Sequence, residues 1–234
     1  MSHGSADLSS DFAFSVWTIV VAGGSGLRFG SRKQFVDLQG RSVVQRSIDS
    51  AAAVSVGVIV VVPADSVNSV DLSANHAELL VVAGGASRSE SVRAGLSMVP
   101  AVEDSDPPIV VLVHDAARPL ASKELFGRVI EAVSNGARAV VPAVAVSDTI
   151  RHKDGGVLDR SDLLAVQTPQ GFDLATLREA HASNHDATDD ATLVEALGYE
   201  VAVVQGDAFN NKLTEPTDLL GAASIIEHLE REAQ

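Results

Sequence analysis

The sequence predicts an α/β protein: a doubly wound, mostly parallel sheet carrying one projecting β-arm. Three observations support this: short Val- and Ile-rich runs alternate with helix-length segments, glycine-rich turns follow two of those runs directly, and an aspartate closes a third. The runs are 15–22, 56–63, 79–83, 109–114, 137–142 and 199–205. Each is continuously apolar, as a parallel strand buried on both faces must be. Between them, spacings such as Val43, Val44, Ile48 and Ala51 put apolar side chains on one helical face. The segment 143–168 breaks this alternation, because two extended runs flank Lys153-Asp154-Gly155-Gly156, a hairpin-turn sequence. It is predicted as the β-arm, and a lone two-stranded arm is marginal in water, so it should pack on a second subunit as a homodimer. The chain should end in a helix with Thr214 as N-cap, Pro216 in the first turn and an apolar stripe of Leu219, Leu220, Ala223, Ile226 and Leu229. Residues 1–14 read as a Ser-rich flexible tail, and 15–234 as a single domain.

Composition removes several classes of function. The 17 Lys and Arg against 31 Asp and Glu give a net charge of −14, the wrong sign for nucleic acid or an anionic membrane. With no cysteine there is no disulfide, no thiolate nucleophile and no cysteine-ligated metal. No apolar run is long enough to span a bilayer and no signal peptide is evident, so a cytoplasmic protein is expected. Aromatics are only 4% of residues, leaving Val, Ala, Leu and Ile to build the core.

An acidic protein can still bind a small anion if its few cations gather at one place, and the first glycine turn gathers three. Ala22-Gly23-Gly24-Ser25-Gly26 lets backbone N–H groups converge on a phosphate, and Arg28, Arg32 and Lys33 follow closely. The spacing matches neither the dinucleotide fingerprint nor a P-loop. Gly84-Gly85-Ala86 forms a second such turn, which either lets a flat base approach, with Ser91 as a hydrogen-bonding hydroxyl, or simply opens a Ser-capped helix. Asp115, closing the run 109–114, is the best candidate for holding Mg²⁺ against substrate phosphates, with turn capping as the alternative. His114 reads as a satisfied strand-end histidine. His181 and His185 lack the glutamate of a zinc helix and read as solvated surface, and Asp189 and Asp190 read as acidic residues in a helix's first turn.

In order, Ala-Gly-Gly-Ser-Gly-x-Arg, Lys-Gln-Phe, Gly-Gly-x-x-Arg-x-x-Ser-Val, Val-His-Asp-Ala-Ala-Arg-Pro, Ser-Asp-Thr-Ile, Gln-Thr-Pro-Gln-Gly-Phe and Asn-x-Lys-x-Thr resemble the 2-C-methyl-D-erythritol 4-phosphate cytidylyltransferase family over about residues 17–228. The resemblance implies a Rossmann-like nucleotidyltransferase fold and transfer of CMP from CTP to the polyol phosphate with Mg²⁺. It further implies that Ala22, Gly23, Gly24 and Gly26 wrap the triphosphate, and that Arg28, Lys33 and Lys212 neutralise the reacting phosphates. Gly85, Ala86 and Ser91 would read cytosine, and Asp115 would bind metal. Arg118 and Thr168 would line the acceptor pocket, while Thr149 and Arg160 would reach it from the arm of a neighbouring subunit. Two positions depart from the pattern. Ala86 stands where some relatives are acidic, and Phe209 stands where a second metal ligand is often found, leaving Asp207 as a substitute. The run Phe209-Asn210-Asn211-Lys212 also resembles ribitol-5-phosphate cytidylyltransferases, the rival reading. A non-catalytic nucleotide sensor is the alternative of a different class, disfavoured by the joint presence of Arg28, Lys33, Asp115 and Lys212.

Overall fold

The computed structural model describes residues 14–24, 32–102, 107–183 and 185–232. In chain order its elements are β1 (Ser15–Val21), β2 (Asp37–Leu38), β3 (Arg41–Ser42), α1 (Val43–Ala52), β4 (Gly57–Val62), β5 (Glu78–Ala83) and α2 (Arg88–Leu96). There follow β6 (Ile109–Asp115), α3 (Lys123–Ser134), β7 (Ala139–Ala145), β8 (Leu164–Val166), β9 (Gln170–Asp173), α4 (Leu174–Ala182), α5 (Asp190–Ala196), β10 (Val201–Gln205) and α6 (Asp218–Glu232). All six expected runs are strands, with ends displaced by at most three residues. The main sheet runs β10-β7-β9-β6-β1-β4-β5, and β8 adds to the far end of β7. Pairings β1–β4, β4–β5, β1–β6 and β10–β7 are parallel, whereas β9 runs antiparallel to both β6 and β7.

That reversed strand was not expected. It is only four residues long, and Gly171 within it is required by packing, since a Cβ there would lie 2.5 Å from Val129 Cγ1. The run from β8 to β9 carries two extra residues relative to β7. Ala143 faces Val166 but Ala139 faces Phe172, so four residues of β7 correspond to six on the other side. The excess loops out around Gln167–Pro169, where Thr168 lies beside the end of β6.

Alternation along β1 sorts its side chains between two cores. Val16 and Val20 join α1 and α3 on one face, while Trp17 and Ile19 join α2, α4 and α5 on the other. Both cores are dominated by Val, Ile, Leu and Ala, as the scarcity of aromatics requires. The α1 stripe is fully buried, its Val43, Val44, Ile48 and Ala51 all at 0% exposure, and Ser42 caps the helix by accepting from Gln45 N–H. Phe14, assigned to the tail, instead packs on the first core; the remaining tail residues, 1–13, lie outside the described residues.

The last helix differs from expectation. Its start is set by Asp218, whose carboxylate accepts from Thr214 N–H, Thr214 Oγ1 and Glu215 N–H, so Thr214 donates its hydroxyl and is not the N-cap. Ala222 and Ile226 are buried and Leu219 and Ala223 partly so, but Leu220 and Leu229 face solvent. The arm is extended only at its base, where 143–145 of β7 pair antiparallel with β8, and beyond that it is an irregular hairpin. One bridge, Arg151 to Val157, and bonds from His152 N–H to Gly156 C=O and Leu158 N–H to Ile150 C=O close it around Gly155 and Gly156. Both glycines have positive φ, a backbone that favours residues without Cβ.

Candidate active site

The chain leaves β1 for β4 and β5 on one side, then returns to β6 on the other, so the strand order reverses between β1 and β6. A crevice forms at such a point, outside the carboxyl ends of the strands. Ala22–Gly24 and Asp115 end the two strands that flank it, and Val21 stands in register with Asp115. Gln34 is buried and its amide donates to Ala22 C=O at 2.8 Å and Gly24 C=O at 3.2 Å, clamping the glycine turn. Gly26 and Arg28 lie outside the described residues. Arg32, grouped with the phosphate cations by sequence, turns away: its guanidinium forks onto both oxygens of Asp65.

Lys33 and Lys212 are 179 positions apart in sequence and meet here. Lys212 Nζ donates to Asp115 Oδ2 at 2.6 Å, and Lys33 Nζ donates to the next carbonyl, Leu213 O, at 2.6 Å. Arg88 Nε lies 3.6 Å from the other oxygen, Asp115 Oδ1. Burial alone would raise the Asp115 pKa, but the charges of Lys212 and Arg88 outweigh it and hold the carboxyl down to about 2. Asp115 is therefore ionised throughout the physiological range.

Behind it, His114 is fully buried and its partners assign its tautomer. Arg118 C=O, 3.1 Å from Nε2, can only accept, so Nε2 carries the proton and Nδ1 accepts from the Thr168 hydroxyl at 3.1 Å. Thr168 Oγ1 in turn accepts from Asp115 N–H at 3.0 Å. This relay bears out the reading of His114 as a satisfied histidine, and it engages Thr168 in orienting the Asp115 backbone. Burial lowers the His114 pKa to about 4. The unfolded chain protonates it near 6.5, so between those values the unfolded state binds the extra proton and stability falls with falling pH. The loss should approach about 3 kcal/mol between pH 6.5 and 4. Urea unfolding of the protein and of His114→Gln across that range checks this, the variant being expected to show the shallower slope; identical slopes would contradict it.

The second glycine turn sits over Ser91, whose Oγ would be only 2.8 Å from a Cβ on Gly84 and 3.2 Å from one on Gly23. Ser91 donates to Ser87 C=O at 2.9 Å, leaving its oxygen as an acceptor. Ala86 N–H is taken by Glu90 Oε2 at 2.6 Å, so Glu90 is a neighbour, which the motif did not single out, of the positions expected to read a base.

Other expected residues are placed elsewhere. Asp207 accepts from Ser122 Oγ and Phe209 N–H, and its backbone N–H and C=O are both held by the Gln167 amide. It caps the turn after β10 and is not brought to Asp115. Phe209 sets its ring edge against His228 of α6. Arg118 donates to Asn210 C=O at 2.7 Å and Val166 C=O at 3.3 Å, bracing the same loop that presents Lys212. Thr149 and Arg160 share a separate concavity on the arm with Val157, Leu158 and Asp159. Among the described residues no three His, Asp or Glu side chains cluster to hold a metal, and no helix is long and apolar enough to cross a membrane.

A family model for 2-C-methyl-D-erythritol 4-phosphate cytidylyltransferase matches residues 16–228. The enzyme of that name from Nocardia farcinica is 44% identical over 223 residues, covering 91% of this chain and 94% of its own. That from Rhodococcus jostii is 43% identical over 223 residues, covering 91% and 95%. The crystal structure of 2-C-methyl-D-erythritol 4-phosphate cytidylyltransferase from Thermus thermophilus is similar at a TM-score of 0.75 and 35% identity, covering 90% of this chain and 98% of that one.

Proposed function

The chain belongs to the 2-C-methyl-D-erythritol 4-phosphate cytidylyltransferase family, and from that premise we propose how its strand-end crevice carries out the reaction. It is a cytidylyltransferase that moves CMP from CTP to 2-C-methyl-D-erythritol 4-phosphate, giving 4-diphosphocytidyl-2-C-methyl-D-erythritol and pyrophosphate. An oxygen of the acceptor phosphate attacks the α-phosphorus of CTP, a new P–O bond forms, and the bond to the β-phosphate oxygen breaks. The chemistry needs positioning and charge stabilisation rather than a covalent nucleophile.

The observation that carries the assignment of roles is the convergence of Lys212 on Asp115, with Lys33 bound one residue further on at Leu213. Lys33 and Lys212 neutralise the α-phosphate, joined by Arg28, while backbone N–H groups from Ala22 to Gly26 hold the other phosphates. Gly85, Ala86 and Ser91 receive the cytosine. Mg²⁺ suits this arrangement, because it commonly takes one or two carboxylates and completes its shell with phosphate oxygens and water. Asp115, an ionised carboxylate at the mouth of the crevice, would be its protein ligand, and the ion would supply further neutralisation of the triphosphate. With its oxygens engaged by Ser122 and Phe209, Asp207 is left out of that role.

The acceptor is proposed to be completed by Thr149 and Arg160 from the arm of a second subunit. The exposure of Val157, Leu158, Leu164 and Val166 along the arm supports such a homodimer. A cysteine-free chain needs no oxidising compartment, and a cytoplasmic setting is proposed. Mixing inactive Lys33→Ala with inactive Arg160→Ala subunits should restore part of the turnover through hybrid sites carrying neither lesion. No recovery despite demonstrated subunit exchange would count against sharing. Pyrophosphate release with CTP and Mg²⁺ tests the acceptor: 2-C-methyl-D-erythritol 4-phosphate should support turnover and ribitol 5-phosphate should not, and the reverse result would overturn the reading.

A further inference from the structure

A chain of buried charges runs away from the crevice behind Asp115. Arg88, the first residue of α2, faces two carboxylates: its Nη1 donates to Asp190 Oδ2 at 2.7 Å while its Nε lies 3.6 Å from Asp115 Oδ1. The Asp190 side chain is 1% exposed, and its other oxygen accepts from His181 Nε2 at 3.0 Å. His181 is buried too, and its Nδ1 has no hydrogen-bond partner among the described residues. This corrects the reading of His181 as solvated surface and gives Asp190 a task beyond the first turn of α5.

Burying a carboxylate costs several kcal/mol unless it is well paired, and apolar residues of similar volume would fill the space more favourably. Three elements, α2, α4 and α5, nevertheless contribute a side chain each to this pair of contacts, and the group they hold in place is the Arg88 guanidinium. The two cations on Asp115 are consequently unequal. Lys212 is 44% exposed, on an irregular loop, with Asp115 as its carboxylate; Arg88 is 22% exposed and gripped between two carboxylates. One can leave at small cost and the other cannot.

We propose that Arg88 is a positioning residue, pinned by the buried Asp190–His181 pair so that it orients the Asp115 carboxylate from behind while Lys212 remains the cation that transfers to the substrate phosphates. The proposal rests on the roles given above to Asp115 and Lys212. It has a specific consequence, because a guanidinium prefers to fork onto a single carboxylate. Without Asp190, Arg88 closes on both oxygens of Asp115, competing with Lys212 and with a divalent cation.

The test measures kcat, the KM for CTP, the half-saturating Mg²⁺ concentration and calorimetric binding of Mn²⁺ in the presence of CTP, on Asp190→Asn, Arg88→Met and Arg88→Lys, with thermal unfolding of each. Asp190→Asn should raise the half-saturating Mg²⁺ and the Mn²⁺ Kd by about tenfold. Arg88→Met should lower kcat by about tenfold or more with KM for CTP within about twofold, and Arg88→Lys should recover part of the loss. If Asp190→Asn does not fold, the two variants at the more exposed Arg88 decide. Variants that lose thermal stability but keep kcat and metal binding per folded molecule would overturn the proposal, leaving only a structural strut. Absence of turnover by the unsubstituted protein would instead strike at the activity, and the ratio of Mn²⁺ affinities would still judge Arg88.

Discussion

Lys212→Ala should lower kcat by about two to three orders of magnitude, the size expected when one donor to transition-state charge is removed. The Lys212 side chain is nearly half exposed, but its partner Asp115 is buried and keeps only Arg88 once the lysine is gone, so the thermal midpoint should fall modestly while the fold is retained. The loop keeps its own anchors, since Leu213 N–H donates to Ala117 C=O at 2.8 Å and Leu213 C=O still accepts from Lys33. Lys212→Arg should recover little, because a planar guanidinium is larger than an ammonium and fixed in its donor directions. Steady-state rates with saturating CTP and acceptor, beside an unfolding curve, make the measurement. A variant turning over within threefold of the parent would remove Lys212 from the reaction.

Asp115→Asn should also lower kcat by about two orders of magnitude, and it should destabilise the fold. The substitution keeps shape and removes charge, leaving Lys212 and Arg88 beside a neutral amide. Asp115 titrates at about 2 in the folded protein against an ordinary value of 3.8. A depressed carboxylate pKa contributes stability above the unfolded value and loses it as pH falls through the folded value. The contribution is about 2 kcal/mol at neutral pH. The variant should therefore be less stable by about that amount at pH 7, with the gap narrowing as pH falls from 4 towards 2. Chemical denaturation at stepped pH checks the stability, and Mg²⁺ titration of the rate checks the loss of a metal anchor. Unchanged turnover, or a gap that widens in acid, would refute the assignment.

The parallel strands were legible because each is a continuous apolar run, and burial on both faces writes itself into composition. The reversed β9 was not, since four residues with a central glycine look like a turn; its reason, the close pass of Val129, belongs to a different element. The candidate phosphate site was partly legible for a comparable reason. Glycines reveal where backbone approaches a ligand, and the strand-terminal Asp115 announces the open edge of the sheet. Arg32 shared the same cluster, yet Asp65 claims it, because charge proximity along the chain does not say which way a long side chain turns. Lys212 entered through family resemblance, and nothing local to it predicts that it meets Asp115. His181 was misread as solvated surface, and Asp190, although it does open α5, was not seen as its buried partner. Their i, i+9 separation spans two short helices, and only the packing of α4 and α5 against α2 buries them together.

By itself, the sequence determined the fold class, the acidic balance and the short inventory of residues able to meet a polyphosphate: four lysines, two of them in the candidate site, and one strand-terminal aspartate. Those properties follow from local periodicity, backbone permissiveness and charge count, each written within a few neighbouring residues. The tertiary structure alone decided which cations face Asp115, that Asp207 serves a turn, that Thr168 and His114 orient the Asp115 backbone, and that Arg88 is held between two carboxylates. These are properties of contacts between residues far apart in the chain. Their energies arise only when folding removes water from the groups and brings opposite charges within a few ångströms, about 2.6 Å for Lys212 and Asp115.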